Sequence, residues 1–316
     1  MVDRRRAHGR AAGPAGPMRT QEKAYLNAVL AVALWSTVAT AFKVALRFLD
    51  YALLLLCASI TSTIVLGMIL ALTGRLGEAL LSLRRHPLRS LGLGFLNPFL
   101  YYVVLFKAYD LLPAQMAQPL NYTWAIALAL LSVPLLGQTI GRREIAGGLV
   151  SYAGVWVIST RGAVLSLGVA DPVGVALALG SAFIWAFYWI RSTGDDRDPV
   201  VGLFSNFVCA LPMVLAFTLV VSDLRVADVC GLWAGLYVGV VEMGVTFVFW
   251  LTALKLSENT AKVGNLIFLS PFLSPVFIRF VLGETILPST FVGLLLIVLG
   301  IALQGMRRRP QERSRE

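Results

Sequence analysis

The chain has 316 residues, of which 58% are hydrophobic and 14% charged, and its formal net charge is +10. A soluble domain averages roughly 45–50% apolar and about 25% charged residues, so this composition excludes a water-soluble globule, which could not hide so much apolar side chain. The basic residues sit at the termini and in short stretches between apolar runs, which speaks against the basic face of a nucleic-acid-binding domain.

Residues 1–18 carry Arg4, Arg5, Arg6 and Arg10, then Gly13, Pro14, Gly16 and Pro17, and are expected to form a disordered basic tail. Apolar runs follow at 24–46, 51–73, 90–109, 114–136, 143–160, 171–191, 199–222, 229–254, 259–282 and 288–306. Each approaches the roughly 20 residues that a helix needs to cross the hydrocarbon core. The first run is too long for the core of a signal peptide and lacks a small-residue cleavage site, so it is read as a span. Residues 307–316 form a second basic tail. The expected fold is all-α and polytopic, with ten transmembrane helices. Counting Lys and Arg in alternate connections gives an asymmetry of about four to one when both termini are cytoplasmic.

The chain repeats itself. Gly137-Gln138-Thr139-Ile140 returns as Gly283-Glu284-Thr285-Ile286, and at the same offset Gly147 matches Gly293 and Gly154 matches Gly300. A one-residue shift aligns Gly94 with Gly239, Asn97 with Glu242 and Ala108 with Ala253, and Trp35 matches Trp185. Two repeats of five spans, 19–162 and 163–306, are expected, and an odd number of spans turns the second repeat upside down. Inverted repeats are a transporter architecture, with the substrate site at the midplane between the halves.

Chemistry is sparse. Cys57, Cys209 and Cys230 read as small hydrophobes, and His8 and His86 lie in polar segments, so no histidine-based metal site is expected in the core. Paired carboxylates, a histidine constellation and an activated serine are absent at usable spacing, which disfavours a membrane enzyme. No phosphate-binding GxxxxGK[ST] loop exists, which excludes a primary pump, and no cofactor is expected.

Leu34-Trp35-Ser36-Thr37 with Lys43, and Gly283-Glu284 with Gly293 and Gly300, resemble signatures of the drug/metabolite transporter superfamily in its ten-helix EamA-type branch. Asn121-Tyr122-Thr123-Trp124, Gly137-Gln138 and Ala182-Phe183-Ile184-Trp185-Ala186 with Tyr188 resemble the bacterial aromatic amino-acid exporters within it, although Ala125 stands where that group tends to have Pro. The resemblance implies a secondary transporter in a bacterial inner membrane that exports aromatic and other neutral amino acids. Efflux of other metabolites or of drugs is the alternative. Proton coupling and oligomeric state stay open, with a monomer plausible.

Polar groups inside lipid-spanning helices cost about 2.5–3.5 kcal/mol for Lys or Asp, so they turn toward protein or water. Lys43, Asn97, Gln118, Asn121, Glu242 and Asn265 are of this kind. In an amino-acid site, Lys43 or Asn97 would meet the carboxylate and Glu242 the ammonium, while Trp35, Tyr101, Tyr122, Trp185 and Tyr188 would stack against the side chain. Gln118 shares the face of Tyr122. Lys43 could equally snorkel to the interface, Asn97 and Asn265 could simply bond neighbouring helices, and Trp124 could be a packing residue. Pro119, Pro134, Pro271 and Pro275, in the fourth and ninth runs, are read as hinges.

Overall fold

The computed structural model describes residues 20–137, 141–165, 171–192, 194–257, 263 and 265–305; both expected tails lie outside them. Helices begin with α1 (Thr20–Ala45), α2 (Tyr51–Leu72), α3 (Leu76–Arg85) and α4 (Pro87–Leu111). The fourth apolar run is divided into α5 (Ala114–Asn121) and α6 (Trp124–Leu136), and α7 (Arg142–Ser159) follows. Then come α8 (Pro172–Ser192), α9 (Pro199–Val221) and α10 (Val229–Leu256). A tight helical turn (Asn265–Leu269) leads into α11 (Ser270–Leu282), and α12 (Pro288–Gly305) ends the described chain. No strand occurs among the described residues. The chain is an all-α, polytopic membrane protein, the class its sequence predicts. By length and composition alone, α1, α2, α4, α8, α9 and α10 can cross a bilayer.

Helices α2 and α9 start on a side-chain cap from the preceding loop. Asp50 accepts the backbone N–H groups of Ala52 and Leu53, both at 2.9 Å, and so caps α2. Asp198 does the same for Val200 and Val201 ahead of α9, where Pro199 spares a donor that would have had no partner. Gly137 and Gly283, matched in the repeat, both end their helices with positive φ, 64° and 72°. An N-cap substitution typically costs about 0.5–2 kcal/mol. Asp50→Ala should therefore lower the melting temperature in detergent without changing substrate affinity, since Asp50 lines neither interior cavity; both can be read from one thermal-shift titration.

Packing follows a pattern of exchange. Helix α1 packs against α10 and α11, whereas α8 packs against α4, α5 and α6. Helix α2 packs against α9, and α7 against α12. The last pair meets backbone to backbone: a side chain on Gly293 would sit 2.6 Å from the Gly154 carbonyl oxygen, and one on Gly300 would strike the Gly147 carbonyl. Small residues let two membrane helices approach this closely.

One element is absent from the reading of apolar runs. Helix α3 is amphipathic and packs on α9, with Ala79 and Ser82 buried and Leu80 and Leu81 exposed. With ten residues and a charged last turn, Arg84 and Arg85, it is too short and too polar to read as a span.

Candidate functional site

Three breaks in helical geometry shape the interior. In α4, Asn97 has extended backbone angles ahead of Pro98, which lacks the N–H that would continue the ladder. In α10, a π-helical stretch from Val238 to Val245 carries Glu242. Between α5 and α6, a turn at Tyr122 and Thr123 follows Pro119. Irregular backbone at membrane depth persists where it is buried in protein or lines a cavity.

These elements surround a cavity of about 90 Å³. Glu242 lines it and is 8% exposed. The Tyr102 hydroxyl donates to its Oε1 at 3.0 Å and the Trp35 indole faces the carboxylate, while Oε2 makes no hydrogen bond of ordinary geometry among the described residues. Around the carboxylate stand aromatic rings. Trp35 on α1 meets Trp250 and Phe247 of α10 edge to face, with centroids 5.5 and 5.8 Å apart. Trp185 on α8 stacks on Tyr101 at 4.6 Å and on Tyr188 at 5.4 Å. Such pairs contribute about 0.5–1.5 kcal/mol each beyond burial and hold the rings in fixed orientations.

The wall from α5 and α6 is polar. Gln118 donates to the Ser274 hydroxyl at 2.8 Å, and Ser274 donates to the Ser36 carbonyl at 2.7 Å. Asn121 accepts from Tyr101 at 3.3 Å and donates to Ser181 at 2.9 Å.

Of the residues expected from the sequence, Trp35, Tyr101, Gln118, Tyr122, Trp185 and Glu242 come together around this cavity. Tyr188 lines a second cavity of about 140 Å³ beside it, and Trp189 and Phe247 border both. Asn97 is fully buried beside the Tyr188 side chain, makes no hydrogen bond of ordinary geometry and lines neither. The side chain of Asn265 lies outside the described residues. Lys43 is elsewhere: its ammonium donates to the carbonyls of Tyr109 at 2.7 Å and Leu112 at 3.1 Å. A helix leaves its last carbonyls without partners, and a cation there also meets the favourable end of the dipole. Lys43 thus caps α4. Trp124 borders the cavity, as do Trp189, Phe247 and Trp250, which the sequence reading did not select. Trp250 lies two turns beyond Glu242 on α10, the spacing that could have found it.

The expected hinges divide. Pro119 precedes the α5–α6 turn, and Pro271 occupies the first turn of α11, where its missing N–H is harmless. Pro275 lies inside α11 just ahead of its π-helical end, and Pro134 is near the end of α6.

Both ends of the bundle are tied. At one, Glu284 accepts the N–H groups of Ala114 and Gln115, at 3.1 and 3.4 Å, at the start of α5. At the other, the Arg197 guanidinium, 7% exposed, holds Asp195 at 2.6 Å and donates to Ser82, Ser90 and Asn206. Burial alone would raise the pKa of the Asp195 carboxyl, but Arg197 outweighs it and holds the group below the ordinary carboxylate value.

The model of the EamA-like transporter family matches residues 22–160 and again 172–306. An uncharacterized transporter of Bacillus subtilis, YvbV, is 27% identical over 226 residues, covering 69% of this chain and 71% of that protein. The aromatic amino acid exporter YddG of Ancylobacter novellus is 26% identical over 268 residues, 81% of this chain and 87% of that one. A solved crystal structure superposes with a TM-score of 0.62 at 22% identity, over 89% of this chain and 95% of its own, which shows a shared fold.

Proposed function

Because the chain belongs to the EamA-like transporter family, we propose that it is a secondary carrier exporting small amphipathic metabolites, aromatic and other neutral amino acids first, across a bacterial inner membrane. The observation that carries this reading is the buried carboxylate of Glu242, with one oxygen in no hydrogen bond of ordinary geometry among the described residues, facing an aromatic cavity. An ammonium group would complete that oxygen, and the surrounding rings would take an apolar or aromatic body. The 26% identical relative named as an aromatic amino acid exporter supports the substrate class.

The architecture proposed is ten spans in two inverted repeats, with both termini cytoplasmic. Its support is the exchange of partners: α1 stands to α10 and α11 as α8 stands to α4 and to α5 with α6. The α7–α12 contact is also reciprocal, Gly154 against Gly293 and Gly147 against Gly300, which is how a patch meets its own copy across a two-fold axis. Alternating access would then bend the fourth and ninth spans at Pro119 and Pro271, with Pro134 and Pro275 as further flexible points.

A second reading, toward amines, is favoured by the placement of Lys43. With its ammonium on the α4 carbonyls, no Lys, Arg or His lines the cavity among the described residues. A substrate carboxylate would meet neutral donors only, whereas an ammonium meets the Glu242 carboxyl group. Counterflow of labelled phenylalanine in proteoliposomes, with phenethylamine and 3-phenylpropionate as competitors, tests both readings. The amine should compete at least as well as phenylalanine, and the acid roughly tenfold more weakly. Competition by the acid alone would overturn the assignment of Glu242 to the ammonium. Absence of phenylalanine counterflow would overturn the amino-acid reading itself.

A further inference from the structure

A groove of about 520 Å³, separate from the central cavity, opens between α4, α6 and α8. Its apolar walls include Leu88, Leu96, Leu135 and Ile190, and Leu88 is 82% exposed. Arg89 and Arg191 also line it. Arg89 stands near the start of α4 and Arg191 near the end of α8, so both lie where a membrane-spanning rod meets the interface. Arg191 has no hydrogen-bond or ion-pair partner among the described residues. Arg89 is steadied by the Gly194 carbonyl, and its contact with Asp195 is long, 3.7 Å, because Arg197 already holds that carboxylate.

A concave apolar surface ending in two guanidinium groups matches a molecule with acyl chains and a phosphodiester. Guanidinium binds phosphate through paired N–H donors, and basic pockets between helices at the membrane surface select acidic lipids. Two arginines on one phosphate disfavour a choline headgroup, whose own cation would be repelled. We propose that this groove is a binding site for an anionic glycerophospholipid of the phosphatidylglycerol type. The groove shares no lining residue with the central cavity, and the proposal does not rest on what the carrier moves.

The test is native mass spectrometry of the delipidated full-length protein in detergent, given equal amounts of phosphatidylglycerol and phosphatidylcholine. The first bound lipid should be phosphatidylglycerol, with a preference of roughly tenfold. Arg191→Gln, a change at a side chain without partners, should reduce the preference, and Arg89→Gln with Arg191→Gln should abolish it. Arg84→Gln with Arg85→Gln on α3 should leave it intact. Leu135→Trp, which fills the groove and keeps both charges, should reduce binding of either lipid. Equal binding of the two lipids by the wild-type protein, or a preference that survives the double substitution, would overturn the proposal. Displacement of the lipid by glycerol phosphate would also overturn it, in favour of a soluble phosphate ligand.

Discussion

Replacing Glu242 by Gln is expected to slow transport of aromatic amino compounds by roughly ten- to a hundredfold, the equivalent of one hydrogen bond to a charged group. Yield and thermal stability should stay at the wild-type level. The amide keeps an acceptor for the Tyr102 hydroxyl and removes a charge whose second oxygen makes no hydrogen bond of ordinary geometry among the described residues. Nothing in the packing of α10 depends on that charge: its neighbours along the helix, Met243 and Phe247, are buried by apolar contacts. Initial counterflow rates at matched reconstituted protein give the measurement. An unchanged rate would remove Glu242 from the substrate path.

The second large effect concerns stability alone. Gly154→Ala should destabilise the protein by about 1–3 kcal/mol or more, the usual cost of forcing a group into filled space. The added carbon would strike the Gly293 carbonyl and press on Ile297 at 3.0 Å. Neither backbone can yield without parting α7 from α12. Gly180→Ala on α8 is the matched comparison, since a carbon there meets nothing within 4 Å, and helix propensity should make it neutral or stabilising. Gly300→Ala should resemble Gly154→Ala. The double substitution should cost less than the sum, because one parting of the helices relieves both clashes. Thermal unfolding followed by monodispersity in detergent separates these outcomes.

How far the fold could be read from the residues depended on the kind of signal. Long apolar runs announce themselves, because lipid demands about 20 such residues at every crossing. The break between α5 and α6 was half visible: Pro119 is read as a hinge, but Tyr122 and Thr123, where the backbone turns, lie inside a run read as one span. In the cavity, Glu242 and Gln118 stood out because polarity is costly in lipid. Phe247 and Trp250 did not, because an aromatic residue in an apolar run looks the same whether it faces lipid, packing or a chamber. Lys43 showed that polarity locates a need without naming the partner. Its depth in α1 was legible, but the carbonyls it serves belong to a helix more than sixty residues away, a distance only the fold closes.

Trp189 and Phe247 border both the central cavity and its neighbour. A party wall of this kind makes two rooms interdependent: enlarging one by swinging a ring must shrink the other. On the proposed carrier reading, a molecule that widened one room would tighten the other, an antagonism against holding two molecules side by side.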